Sequence, residues 1–513
     1  MRVFRLLPCT LGLMLAGAVA GRAQSLPLSP CHFVAIDADL RCGTYSVREN
    51  RDDARSRTIP LAVIVVPSRS AHPAADPVIF VSPGGPGTTN SEALVPRAWF
   101  SWMRDQRDII IVDLRGTSGP SRLDCDMSNA ALGAAEYLNT LFPKDKIDAC
   151  RDALQRKVDL GSYTTPAIVE DFDEVRRALG YGKVNLWAVS WGTRIEYLWL
   201  RMHPETVRSA ILEGTAPVSI LNPLPHARSA QDAIDSLFAI CQRQPSCHAS
   251  FPAVAAELDS VRVRLQRSPA MVRVGTGAGT ESTTVQLTWP QFAEALRVMT
   301  YSAPRSQAVP FLVHRAFGGD YTGFAAAAIQ SNRQLRSSLR FGFLLSITCT
   351  EDVARIDPRT IERETANTYL GDSRVREQMA ACADWPRGAL AKNYGDPVRA
   401  DVPVFLLSGN VDPVAPARFT ASAARYLPNS IHVVAPGGHV PHGPCIDAME
   451  RAFLDAASPR AVDTSCVASM RIPDFFTSAP PPPARPPGLT DLAHIRHEKP
   501  IRVGARGDIM SQR

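Results

Sequence analysis

What this chain of 513 residues lacks narrows its function before any motif is considered. No Cys-x2-Cys or Cys-x4-Cys pair occurs and the cysteines are spread over the whole length, so the ligand spacing of a zinc site is missing. Beyond the N-terminus, no run is both apolar enough and long enough to span a bilayer. Basic residues form no stripe interleaved with aromatics, so the electrostatic footprint of a nucleic-acid binder is absent. There is no internal repeat. The composition that remains is ordinary: 45% hydrophobic and 21% charged residues suit a globular protein with a large core or two, and exclude disorder for most of the chain.

The N-terminus has the pattern of a secretory signal, with Arg2 and Arg5, an apolar stretch from Leu6 to Ala20, and small residues at Ala18-Val19-Ala20 and Gly21-Arg22-Ala23. That stretch is too short and too rich in Gly and Ala for an anchor, so residues 1–23 are expected to be removed and no stable membrane insertion to remain. Losing Arg2, Arg5 and Arg22 lowers the formal charge by three, from +6 to +3, which implies no polyanionic partner. Ten cysteines stay behind, an even number in what would be an oxidising compartment. Their spacing suggests sequential bridges: Cys31 with Cys42, Cys125 with Cys150, Cys241 with Cys247, Cys349 with Cys382, and Cys445 with Cys466. Sequence alone does not prove that connectivity. An exported protein, periplasmic or extracellular, is expected.

Apolar, β-branched runs alternate with helical patterns through the first 215 residues, which predicts an α/β fold with a mainly parallel sheet flanked by helices. Candidate strands are Thr58 to Val66, Pro77 to Val81, Asp108 to Asp113, Val184 to Val189 and Ser209 to Leu212. From 216 to 395 the β signal thins and helical spacing dominates, predicting an inserted helical lid. Strand patterns resume at Val402 to Ser408 and Ser430 to Val434. The predicted organisation is a core over 24–215 and 396–472, a lid over 216–395, and a proline-rich flexible tail over 473–513. A lid between late strands would cover the carboxyl edge of the sheet, where open α/β sheets bind ligands.

Ser190 is the most informative residue. The apolar run Val184 to Val189 breaks into Ala188-Val189-Ser190-Trp191-Gly192 and then a helical pattern, the form of a nucleophile elbow. Small residues two before and two after the serine are needed because bulk there would strike the neighbouring backbones. A serine hydroxyl is a weak nucleophile at neutral pH, so it needs a base and a carboxylate to orient that base. In this fold type both follow the serine, each on a loop after a late strand. Asp412, past the Val402 to Ser408 strand, is the expected acid. His439, past the Ser430 to Val434 strand, is the expected base, preferred over His442 deeper in the same loop. The oxyanion hole would use the backbone N–H of Trp191 and one from Ser82-Pro83-Gly84-Gly85-Pro86-Gly87, with Gly85 the chosen donor. Asp113 to Gly119 is expected to brace the loops around the site. No metal or other cofactor is needed for this chemistry.

Taken in order, Gly84-Gly85-Pro86-Gly87, Asp113 to Gly119, Ser190 to Thr193, Leu212-Glu213-Gly214, Gly409 to Val414, and Gly438-His439 with Cys445 beyond resemble the α/β-hydrolase superfamily. The narrower likeness is to secreted proline iminopeptidases and tripeptidyl aminopeptidases, over roughly residues 31 to 472. Pro83 stands where many iminopeptidases have histidine, and Ala188 replaces the first elbow glycine. The resemblance implies a peptidase that trims short peptides from the free amino terminus through an acyl-enzyme. An ammonium has to be recognised in such a site, which calls for carboxylates; Glu351 or Asp352, then Glu213, are the expected amine-binding residues, with structural roles equally open. Two other readings stand beside this one: a carboxylester hydrolase with the same machinery, and a hydrolase fold retained as a binding protein. Thiol titration of the denatured, unreduced mature protein should find essentially no free cysteine; several free thiols would defeat the bridge scheme.

Overall fold

The computed structural model describes residues 26–33, 36–81, 84–92, 98–275, 282–301 and 303–479. The expected signal segment 1–23, Ser82 and Pro83, and the tail from residue 480 lie outside the described residues.

Among the described residues seven strands precede the long insertion: β1 (Ser29–Phe33), β2 (Ile36–Arg48), β3 (Thr58–Val66), β4 (Val78–Val81), β5 (Ile109–Val112), β6 (Val184–Val189) and β7 (Val207–Glu213). Inside it lies a hairpin of β8 (Ala270–Gly275) and β9 (Ser282–Leu287), and after it come β10 (Val404–Gly409) and β11 (Ser430–Ala435). Nine of these strands form one sheet in the order β1-β2-β3-β5-β4-β6-β7-β10-β11. From β5 to β11 every neighbouring pair is parallel. β1, β2 and β3 continue the sheet with antiparallel pairing. β4, β5, β6 and β10 are buried at every position, the reason their sequences read as unbroken apolar runs: helices cover both faces of a parallel sheet.

The helices that cover β6 show how sequence sets this packing. Thr164 caps the helix Thr165–Ala178 by accepting the Ala167 N–H, and Pro166 occupies its first turn. Ile168, Phe172 and Val175 share its inner face, and Phe172 meets Trp199 of the helix Gly192–Met202 edge to face at 6.2 Å. Gly180, at φ +80°, ends the helix in a conformation open to glycine.

β7 and β10 are sheet neighbours separated by about 190 residues of chain, most of them helical. Two cores share this segment. The stretch from Ala227 to Ile329 builds a core of its own, with Ala134, Leu138 and Tyr369 added to it. Phe341, Phe343, Leu345, Ile347 and Trp385 instead join the core beneath the main sheet. The β8–β9 hairpin adds a period-two element among the helices, with Val272 and Val274 buried while Met271 and Arg273 face outward. Five disulfides join Cys31–Cys42, Cys125–Cys150, Cys241–Cys247, Cys349–Cys382 and Cys445–Cys466, the sequential pairing the spacing suggested. Among the described residues no helix is long and apolar enough to cross a membrane.

Three acids are buried below the end of β6 and β7. Glu196 is fully buried in the helix Gly192–Met202, and neither of its carboxylate oxygens has a hydrogen-bond partner. Burial first, then the nearby Glu213 charge, pushes its carboxyl well above the usual range. Glu450, on the helix Pro444–Ala456, is raised in the same way by burial and by Glu213, to which it is hydrogen-bonded. Two such carboxyls in contact hold a proton between them. A raised carboxyl favours the folded state fully below the pH at which the unfolded chain ionises, and that contribution is lost as pH climbs toward the folded value. Each group loses about 1.4 kcal/mol per pH unit across that window. Calorimetry from pH 5 to pH 8 should therefore show the wild type losing more stability than Glu450→Gln, whose amide can still donate to Glu213. Parallel profiles for the two proteins would contradict this.

Candidate active site

β6 ends at Val189, and Ser190 follows with φ +58°, a left-handed conformation that a residue with a side chain adopts only when its surroundings force it. The surroundings are visible. Its N–H donates to the Glu213 carbonyl at 2.7 Å, tying the turn to the end of β7. Its carbonyl accepts the Thr193 N–H at 3.0 Å and the Thr193 hydroxyl at 2.6 Å, starting the helix Gly192–Met202. The Thr193 Oγ1 in turn accepts the Ala216 N–H at 2.9 Å. The turn is thus held on three sides, with the serine side chain presented at the carboxyl edge of the sheet.

His439 and Asp412 are adjacent. His439 Nδ1 lies 2.7 Å from Asp412 Oδ2. The other Asp412 oxygen accepts the N–H groups of Val414 and Ala415 at 2.9 and 2.8 Å, so the buried carboxylate is fixed by its own loop. With Nδ1 committed to the acid, Nε2 of His439 is the remaining ring nitrogen; it is buried and makes no hydrogen bond. His442 lies exposed, three residues on.

Glycines bring these loops together. A Cβ on Gly214, the residue after Glu213, would stand 2.7 Å from His439 Cε1 and 3.0 Å from its Nδ1, so the end of β7 touches both the serine turn and the imidazole. A Cβ on Gly409 would come within 2.7 Å of the Gly437 carbonyl and closer still to that of Gly438. The His439 loop therefore crosses the Asp412 loop in backbone contact, reinforced by Gly437 N–H donating to Asn410 Oδ1 at 3.1 Å. Beyond the histidine, Val440 is held at φ +64°. Tyr301 supplies the other wall: its carbonyl accepts the His439 N–H at 2.9 Å, and its ring meets the imidazole edge to face at 5.7 Å.

The loop after β4 closes the site from the opposite side. Gly84 is the residue whose missing side chain faces Ser190, since a Cβ there would lie 3.2 Å from Ser190 Cβ and 3.4 Å from Oγ. Gly85, at φ +38°, has Leu339 as its neighbour. Asp113 braces this loop by accepting the Ser91 N–H at 2.8 Å and the Ser91 hydroxyl at 2.9 Å. Thr117 accepts from Thr89, and Arg340 pairs with Glu92 at 2.6 Å. Trp191, the other expected donor, caps the helix that follows the serine.

Of the expected amine-binding acids, Glu351 and Asp352 flank the same Arg194, and each of the three is already engaged. Asp352 accepts two hydrogen bonds of 2.9 Å from the fully buried Arg194, together with the Asn222 N–H at 3.2 Å. Glu351 accepts the Thr165 N–H, the Thr165 hydroxyl at 2.7 Å and the Tyr394 hydroxyl at 2.6 Å. Glu213 is buried and hydrogen-bonded to Glu450. These acids hold the protein's own guanidinium, N–H groups and hydroxyls where an incoming ammonium was expected. The sequence hides the reason, because Arg194 lies more than 150 residues from Asp352 and nothing local marks them as partners. Tyr301 and Gly214, both against His439, were likewise outside the expected set. Gly214 carried a usable signal in the Leu212-Glu213-Gly214 strand end, whereas Tyr301 carried none. Among the described residues no group of three or more His, Cys, Asp or Glu could hold a metal ion.

Sheet order and loop positions are those of an α/β hydrolase, and the comparisons with known proteins agree. A family model described as the alpha/beta hydrolase fold matches residues 77–244, and one described as TAP-like protein matches 367–466. The chain belongs to the α/β-hydrolase superfamily, with a TAP-like C-terminal part. Escherichia coli YuaR is 29% identical over 293 residues, covering 50% of this chain and 56% of that protein. The serine protease Hip1 of Mycobacterium tuberculosis is 26% identical over 247 residues, covering 44% and 46%. The matched stretches thus span about half the length of these curated relatives. Among solved structures, an esterase from Thermogutta terrifontis covers 81% of this chain and 99% of its own at 15% identity and a TM-score of 0.36. So loose a likeness bears on neither substrate nor mechanism.

The backbone crossing of the two loops gives a direct test of this geometry. Gly409→Ala should lower stability by roughly 3 kcal/mol, the upper end of the cost of overpacking. It should also reduce turnover far more than it raises KM, because it displaces the His439 loop. A variant with unchanged kinetics would show that the crossing does not position the imidazole.

Proposed function

We propose that this chain is an exported serine peptidase that releases residues from the free amino terminus of short peptides through an acyl-enzyme. In this reading Ser190 attacks the acyl carbon while His439 Nε2 takes its proton. Asp412 keeps Nδ1 protonated and stabilises the imidazolium that forms. The Trp191 and Gly85 N–H groups meet the oxyanion. The imidazolium then protonates the leaving amine, and water, deprotonated by the same ring, hydrolyses the ester. The observation that carries the reading is the 2.7 Å His439–Asp412 contact, seated against the same strand end that binds the Ser190 N–H. The TAP-like match and the likeness to a serine protease favour a peptide substrate, and the five disulfides are in keeping with export.

Ser190→Ala should lower kcat by several orders of magnitude while leaving the thermal transition in place, as happens when one member of a catalytic unit is lost. Near-normal turnover by that variant would end the proposal. Free-amine tripeptidyl or aminoacyl amides should be cleaved faster than their N-blocked forms and faster than short acyl esters; the opposite order would make the chain a carboxylester hydrolase.

A further inference from the structure

Tyr301 links the imidazole to a second polar cluster. Its ring packs on His439, and its hydroxyl accepts from Arg297 Nη1 at 2.6 Å. Arg297 is buried and held at its other end by Glu294, with Nε 2.9 Å from Oε2. Arg374 approaches the same Glu294, its Nε 3.8 Å from Oε1, and lies over the Phe142 ring at 5.0 Å. His226 and Tyr369 complete the group.

Five polar atoms of this cluster are buried without a hydrogen bond: Nε and Nη1 of Arg374, both ring nitrogens of His226, and the Tyr369 hydroxyl. His226 is 8% exposed and Tyr369 6%, so bulk solvent scarcely reaches them. A buried polar group left unsatisfied is costly, and five in one neighbourhood call for a reason. Helix stability does not supply it. Arg374 is the second residue of the helix Ser373–Cys382, where the macrodipole disfavours a cation. Arg297 and Arg374 share Glu294, the first by hydrogen bonds and the second at 3.8 Å, while Glu377, whose charge also acts on Arg374, turns one oxygen to the Thr140 hydroxyl and leaves Nε and Nη1 of Arg374 without an acceptor. Burial, helped by Arg297 and Arg374, drives the His226 imidazole well below its usual value, so that ring is a neutral donor and acceptor.

Placement gives the ligand its identity. The histidine of a serine hydrolase hands its proton to the leaving group, so residues reached through the wall of that histidine lie on the leaving-group side of the scissile bond. We propose that Arg374, with Tyr369 and His226, binds a carboxylate on the leaving-group side of the substrate, the free C-terminus of a short peptide. This rests on the peptidase reading and deepens it: a fixed carboxylate site beyond the scissile bond selects peptides by their length. Arg374 is a binding residue in this account and takes no part in bond making.

The test uses the full mature chain and three peptides alike up to the scissile bond: one with a free C-terminal carboxylate, one with a C-terminal amide, and one with a C-terminal amide and a glutamate on the leaving side. The free acid should show a KM at least tenfold below that of the plain amide at similar kcat. Arg374→Gln should raise the free-acid KM about tenfold, leave the plain amide unchanged, and hydrolyse p-nitrophenyl butyrate at the wild-type rate, which also certifies its fold. Arg374→Lys should recover part of the loss. If the glutamate peptide alone follows Arg374, the carboxylate is a side chain and the C-terminal assignment is overturned. Equal KM for acid and amide in the wild type, a comparison that needs no variant, would overturn the site altogether. Should no peptide be cleaved, the peptidase reading falls separately. The peptides then act as inhibitors of ester hydrolysis, where a tenfold lower Ki for the acid supports the carboxylate site and equal values refute it.

Discussion

One strand end governs the site. The Glu213 carbonyl receives the Ser190 N–H at 2.7 Å, and the next residue, Gly214, touches the His439 ring so closely that a methyl group would not fit. The last residue of β7 and the one after it therefore set the spacing between a serine forced to φ +58° and an imidazole followed by a valine at φ +64°. Strained conformations of this kind persist only where neighbouring structure over-determines them. Here that structure is the parallel sheet, buried on both faces, whose strands β6, β7, β10 and β11 lie side by side and deliver every loop of the site to one edge.

The insertion between β7 and β10 is anchored from below that edge. Arg194, four residues past the serine, is completely buried and reaches Asp352 with a pair of 2.9 Å bonds, while also donating to the Ile220 carbonyl at 2.9 Å. A buried ion pair of this sort contributes little net stability, but breaking one partner is costly. It joins the elbow helix to the helix Phe341–Glu351, whose start also carries Leu339 and Arg340 against the loop after β4. The Ser190 turn, the loop after β4 and the insertion are in this way positioned by one connected set of contacts.

Much of this was legible in the sequence. The Ser190 turn and the placement of Asp412 and His439 on loops past late strands follow from local pattern and chain order, because unbroken apolar runs mark the parallel strands and the residues just past them mark the loops. β3 and β6 have the expected bounds, and the other expected core strands differ by one or two residues. Less legible were β1 and β2, whose charged positions such as Arg41 and Arg48 interrupt the apolar signal at the edge of the sheet. The β8–β9 hairpin was hidden by its helical surroundings. Glu351 and Asp352 illustrate the deeper limit: their chemistry suited an ammonium, but burial beside Arg194 gave them a structural partner that no local spacing reveals. Tyr301 is brought against His439 only by the folding of the insertion.

The most direct test of the account is a fluorophosphonate probe followed by peptide mapping of the adduct, on the wild type and on His439→Gln. Stoichiometric phosphonylation of Ser190 is predicted for the wild type, with labelling slowed by orders of magnitude when the imidazole is gone. An adduct on any other residue, or equal labelling rates in the two proteins, would contradict it.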